Sequence, residues 1–432
     1  MRTKLVIVLW LSLFLTDAQA GPAIQQWASS GGAKVLFVRT QGLPMVDIQV
    51  LFAAGSAYDG ENHGVASLTS ALLDTGAGEW GVDQIAERME GVGAQLGSGS
   101  ARDSAWVTLR SLTEPKNLDV ALSTLHAVIT SPRFDNKDFN RDKKRVLAGL
   151  KQQEESPAAV AEIAFFNAMY GDHPYAHPTS GTIESVGKIQ RDDLAAFHKR
   201  FYVSRNALVV VVGDVTRDKA AAMADGLLNG LPEGLKAPAL PPIGQLAKVD
   251  KVIKRFPSAQ THIQYGMPVV QRHDPDYFPL YVGNHILGGS GFVSRVVNEI
   301  REKRGLAYSA FSYFSPMAKK GPFIMGLQTR NDQAEKAYAV LTETLREFID
   351  NGPTEKELVS HKKNITGGFV LRIDSNSKLS DYLAMIGFYG LPLDYLDKFS
   401  DKVNAVTRTQ IKDAFKRRVQ PQYFRTVMVG GG

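Results

Sequence analysis

The chain has 432 residues, 44% hydrophobic and 22% charged, with a formal charge of +6 and no cysteine. That length exceeds one ordinary core and fits two or more domains, and the composition is that of a globular chain and neither a disordered nor a membrane-embedded one. The missing cysteines exclude disulfides and thiolate metal ligands, and a modest, dispersed positive charge without a basic-aromatic array gives no case for nucleic acid.

At the N-terminus, Arg2 and Lys4 precede an apolar run from Leu5 to Leu15, followed by Ala18-Gln19-Ala20. This order fits a secretory signal cleaved after Ala20, and the run is too short to span a bilayer comfortably. The expectation is a mature chain that starts at Gly21, has no membrane span and resides in the periplasm or another extracytoplasmic space. Residues Val46–Ala53 read as a strand leading into a helical region. The next segment, 55–76, is GSAYDGENHGVASLTSALLDTG. Its Ser67 and Ser70 have no adjacent base and no elbow motif, so they read as ordinary helix serines, and His63 reads as a loop or capping residue. A helix over 82–90 and a strand over 104–112 flank GVGAQLG (91–97). That order is the reverse of a phosphate-binding loop, and the third glycine is one position late.

Residues 141–157, RDKKRVLAGLKQQEESP, form a helix that ends at Pro157. In GDHPYAHPTSG (171–181), His173 and His177 stand four apart, yet Pro174 makes the segment a loop, so a structural role is favoured over metal binding. His262, His273, His285 and His361 have no ligand spacing among themselves. The C-terminal end repeats the middle of the chain: AAFHKRFYVSRNALVVVVG (195–213) aligns without a gap on DAFKRRVQPQYFRTVMVGG (413–431). Both copies read as a helix feeding a β-branched strand that ends at Gly, and a strand over His262–Met267 opens the second half as 46–53 opens the first. Between the halves, Pro232, Pro238, Pro241 and Pro242 make 230–248 a stiff, extended tether. Strands mixed with longer helices predict α+β domains with helix-covered sheets. Residues 286–309, ILGGSGFVSRVVNEIREKRGLAYS, contain a glycine turn and then Arg301 and Tyr308, seven apart.

These segments resemble the insulinase/pitrilysin (inverted zincin) peptidases, including subunits of the mitochondrial processing peptidase kind, over essentially the whole mature chain. The resemblance implies two homologous α+β domains, each a mainly antiparallel sheet covered by helices, together forming half of a clam-shell chamber. It divides the chain into a signal peptide (1–20), an N-terminal domain (21–230), a linker (231–248) and a C-terminal domain (249–432). The family's H-x-x-E-H motif holds zinc with two His on one helical face and activates water with the Glu. Setting Gly64-Val65-Ala66 on the family's lead-in puts Ser67, Ser70 and Ala71 at the first His, the Glu and the second His. Counting back from Glu155-Ser156-Pro157 puts Gly149 at the third ligand; Glu154 and Glu155 point elsewhere on the helix. An Asn that the family often carries on its substrate-pairing edge strand is replaced near Gly97.

Arg301 and Tyr308 match the pair that, in active members, reaches the substrate backbone at the scissile bond. The resemblance therefore implies a non-catalytic subunit with no cofactor of its own. It would supply Arg301 and Tyr308 to a homologous zinc-bearing partner that hydrolyses peptides. The alternatives are an inert scaffold or assembly protein that keeps the peptidase fold and, less favoured, an independent hydrolase using other residues.

Overall fold

The computed structural model describes residues 23–244, 246 and 250–431; the expected signal segment lies outside them. The first half builds a six-stranded sheet from β1 (Gln25–Ala28), β2 (Lys34–Arg39), β3 (Met45–Phe52), β6 (Gln95–Ser100), β7 (Ala105–Leu112) and β8 (Ala207–Gly213). A two-residue hairpin, β4 (Gly76–Ala77) and β5 (Trp80–Gly81), stands apart from it. The strand order is β1-β2-β8-β3-β7-β6. Only β2 and β8 run parallel.

The second half uses β9 (Asp250–Lys254), β10 (Gln260–Val270), β11 (Ala307–Phe314), β12 (Gly321–Arg330) and β13 (Arg425–Val429), in the order β11-β12-β10-β13-β9. Again one pair, β9 with β13, is parallel. Reading both orders from the same end, β2-β8-β3-β7-β6 and β9-β13-β10-β12-β11 are the same sheet built twice. The repeat seen in sequence is therefore a repeat of topology, with β8 and β13 as its matching strands. The first half opens two strands earlier than the sequence reading places it, at β1, and the second half one strand earlier, at β9.

Helices cover both faces. In the first half these are α1 (Val65–Ala71), α2 (Val82–Glu90), α3 (Pro115–Thr130), α4 (Asn136–Glu154), α5 (Pro157–Tyr170), α6 (Ile183–Lys188), α7 (Arg191–Phe201) and α8 (Arg217–Leu228). The second half has α9 (Tyr277–Asn284), the short α10 (Arg295–Val297), α11 (Ala334–Asn351), α12 (Glu355–Gly367), α13 (Asn376–Tyr389), α14 (Tyr395–Ala405) and α15 (Arg408–Arg418). Two helices are exchanged: α5 packs on β10 and β13 of the second sheet, and α13 packs on β8, β3 and β2 of the first.

The strand sequences explain this. Every residue of β8, ALVVVVG, is buried, as a strand covered on both faces requires. Val209 and Val211 join the first half's own core, while Leu208, Val210 and Val212 join the core that includes α13. On the second sheet Val427 and Val429 pack with Phe165 of α5, and Met428 points the other way. Period-two alternation thus assigns each side chain to its own half or to the exchanged helix.

The halves also meet through equivalent hairpin tips. Asp103, between β6 and β7, is 4% exposed. Its carboxylate accepts from Ala318 N at 2.9 Å in the β11–β12 tip, from the Tyr389 hydroxyl at 2.9 Å and from the Tyr175 hydroxyl. Tyr389 and Tyr170, the last residues of α13 and α5, act alike, since Tyr170 donates to Lys320 O at 3.1 Å. Gly55 lets the first tip dock: a Cβ there would lie 2.4 Å from Ala101 O. Residues 231–244 of the proline-rich tether have no regular structure but are held, with Ser204 N and Arg205 N donating to Pro232 O and Glu233 O at 3.0 Å.

Candidate functional site

Where the resemblance puts the zinc motif, α1 is a short, well-anchored helix. Gly64 enters it at φ +100°, and the buried Asp59 carboxylate accepts from Gly64 N at 2.7 Å and Ala66 N at 2.9 Å. His177 braces that cap, with Nε2 3.3 Å from Asp59 and 3.0 Å from Ser56 O, and His63 stacks on His177 at 3.9 Å. Burial pushes His63 below its ordinary range, and His177 adds to the shift. Both imidazoles therefore support the helix start, in keeping with the structural role expected of them.

Ser67 is half-buried and Ala71 exposed on α1; Ser70 is buried facing the Tyr202 hydroxyl, short of a well-formed hydrogen bond. Gly149 lies exposed on α4, with open space where a side chain would begin. Nearby, burial raises the Asp74 carboxyl, and Asp142 raises it further; Asp142 is itself held by Arg141 and Arg145, each at 2.8 Å. Hydroxyls, a methyl and a hydrogen give neither imidazole nor carboxylate at the ligand positions, so these residues do not fit zinc. Among the described residues no group of three His, Cys, Asp or Glu is placed to hold a metal.

The second half presents a different arrangement. Ser294 caps α10, accepting from Val297 N at 3.4 Å, and the helix widens into a π turn over Asn298–Glu302 that carries Arg301. Such turns are rare and concentrate at functional sites. Gly305, at φ +58°, then reverses the chain, with Leu306 N donating to Ile300 O at 2.9 Å. This turn returns the chain into β11 and sets Tyr308 beside Arg301.

The Arg301 guanidinium lies 4.6 Å from the Tyr308 ring centroid and 4.7 Å from that of Phe292, between two aromatic faces. Among the described residues its only ion pair is with the neighbouring Glu302, at 3.4 Å. Tyr308 is 77% and Phe292 69% exposed. β11 is the terminal strand of its sheet, and its register with β12 slips between Ala307 and Ala310, which re-aims Tyr308. The Tyr308 hydroxyl has no hydrogen-bond partner among the described residues. The pair is thus an oriented, weakly hydrated cation beside a free hydroxyl, both suited to donate to an incoming carbonyl oxygen. Its counterpart in the first half is β6, also a terminal strand, whose Gly99 lies under Trp106.

Sequence reasoning missed Phe292, which stands at the end of the glycine turn in 286–309. It also missed a buried pair, His285 and His361, whose Nδ1 atoms lie 2.8 Å apart across the second half. Burial and His361 lower His285 to about 4. No sequence spacing announces a contact between residues 76 apart.

The insulinase family profile (peptidase family M16) matches residues 34–183, and the profile described as peptidase M16 inactive domain matches 188–365. A solved structure from Pseudomonas fluorescens, described as a peptidase M16 inactive domain, superposes with a TM-score of 0.92 at 37% identity, covering 95% of this chain and 98% of that one. The chain belongs to peptidase family M16. Among M16 relatives, the non-peptidase homolog YmxG of Helicobacter pylori is 28% identical over 96% of each chain. The uncharacterized zinc protease YmxG of Bacillus subtilis is 24% identical over 83% of this chain and 86% of its own. Within M16 this chain has the peptidase fold in its inactive form. The boundary between the two profiles falls inside the first half, whose sheet is completed only by β8.

Proposed function

We propose that this chain is the zinc-free subunit of an exported, heteromeric M16 metalloendopeptidase. A homologous partner carrying H-x-x-E-H would hold the zinc and hydrolyse the peptide, and this chain would bind the substrate backbone. The observation that supports this reading is the Arg301 guanidinium stacked between Phe292 and Tyr308 on an exposed strand end, in a fold whose own zinc positions offer no ligands. With a substrate carbonyl set against the pair, guanidinium N–H groups and the Tyr308 O–H donate to its oxygen. Those bonds strengthen as negative charge builds there, which lowers the barrier for the partner's reaction. The stacking keeps the guanidinium oriented beforehand.

The test is co-purification of the tagged mature chain followed by turnover measurements on the intact complex. A co-purifying H-x-x-E-H subunit is expected, with Tyr308→Phe or Arg301→Ala lowering kcat by about 10²–10³, the usual cost of one lost oxyanion donor. Co-purification with a non-peptidase assembly, or full kcat in both variants, would favour a scaffold and overturn the proposal.

A further inference from the structure

A cleft between α9 and α13, apart from Arg301 and Tyr308, holds cationic groups that nothing described so far uses. It encloses about 360 Å³, at the small end of the 300–1,000 Å³ typical of ligand pockets. A second cavity of about 340 Å³ continues it toward β11, and the two share Arg272, Tyr277 and Tyr281. Arg272 is half-buried where they join. Its Nε is fully buried with no hydrogen-bond partner among the described residues, while Nη1 reaches the Met385 sulfur at 3.1 Å, a weak acceptor. The guanidinium sits 5.0 Å from the Tyr389 ring centroid and bonds the hydroxyl of that tyrosine, which also donates to Asp103, so Nε is the group left without an acceptor.

At the outer rim Arg372 donates to the Tyr281 hydroxyl at 3.0 Å and bonds Tyr382. Neither guanidinium has an ion pair among the described residues, although Asp381 lines the same cleft. Lys378 is already engaged by Asp374 at 2.9 Å. A buried, unsatisfied N–H on a charged fork is costly unless an acceptor arrives.

We infer that this cleft binds a carboxylate attached to an apolar or aromatic group the size of one amino-acid residue. The planar carboxylate meets the forks of Arg272 and Arg372, and the tyrosine rings and Met385 receive the apolar part. The assignment is independent of the peptidase reading, and it requires no partner chain.

Calorimetric titration of the mature wild-type chain with N-acetylphenylalanine tests it, with N-acetylphenylalanine amide as the uncharged comparison. Binding of the acid is expected, with the amide weaker by roughly tenfold or more and Arg272→Gln reducing acid binding by a similar factor. Arg372→Gln, at the exposed rim, should also weaken binding and keeps the test decisive if Arg272→Gln fails to fold. A tetrapeptide ending in phenylalanine identifies the source: tighter binding than the free acid marks a peptide terminus, weaker binding a small acid. No binding to the wild-type chain, equal binding of acid and amide, unchanged binding in Arg372→Gln, or equal competition by inorganic phosphate would each overturn the inference.

Discussion

Asp103 offers a direct measure of how the two halves hold each other. Asp103→Ala removes an acceptor from three donors at once, the Tyr175 and Tyr389 hydroxyls and Ala318 N–H. A buried donor left without a partner costs about 1–3 kcal/mol, and loss of the buried carboxylate's own desolvation penalty offsets part of the sum. The net loss should be about 3–5 kcal/mol, a large share of the 5–15 kcal/mol that normally separates folded from unfolded chains. Asp103→Asn should cost only about 1–2 kcal/mol. Its carbonyl still serves Ala318 N and Tyr389, and its amide can donate to Tyr175, whose oxygen already accepts from Lys319 N at 3.2 Å. Urea unfolding followed by tryptophan fluorescence and far-ultraviolet circular dichroism measures both. Of the four tryptophans, Trp27, Trp80 and Trp106 lie in the first half, Trp106 also packed against the core that the second half builds, whereas dichroism reports the whole. Loss of less than about 1 kcal/mol in Asp103→Ala, or equal losses in both variants, would refute the reasoning.

Purified alone and dialysed, the mature chain should contain no stoichiometric zinc by metal analysis; one tightly held zinc per chain with chelator-sensitive hydrolysis would contradict the account of Ser67, Ser70, Ala71 and Gly149. Stability should fall as pH drops from 6.5 to 4. His198 and His285 titrate at about 4 when folded, through burial first, and near 6.5 when unfolded, so the unfolded state binds more protons in that window. Each accounts for roughly 1–3 kcal/mol, and urea midpoints that stay flat across this range would exclude the effect. Intact-mass measurement of the exported protein should give Gly21 as the first residue, and a retained Met1 on a membrane-bound product would show that Leu5–Leu15 is an anchor.

Much of the scaffold was legible because burial leaves its period in the residues. ALVVVVG could only be a covered strand, and its gapless match to the C-terminal repeat carried the duplication of a whole sheet. By contrast β9, DKVIK, is mostly exposed and polar and is held by its parallel pairing with β13, so no local signal marks it. The exchange of α5 and α13 was hidden for the opposite reason. PAAVAEIAFFNAMY has apolar residues on most sides, which says that it is enclosed but not by which sheet. At the site, the seven-residue interval between Arg301 and Tyr308 was visible, and its mechanical cause, a π turn ended by Gly305, was not. Phe292 could not be assigned, because an aromatic face stacked on a cation has no fixed sequence distance.

The exchanged helices also decide what a broken chain would do. Each half lends the other one wall of its core, so a protease that cuts within 231–244 severs the covalent tie but leaves Phe165 lodged against Val427 and α13 against β8. The two fragments should co-migrate through gel filtration as a single particle and separate only in denaturant. Either fragment expressed by itself would expose an uncovered valine-rich sheet face and aggregate. The gene duplication that the repeat records therefore produced a pair that can no longer be divided into two independent proteins.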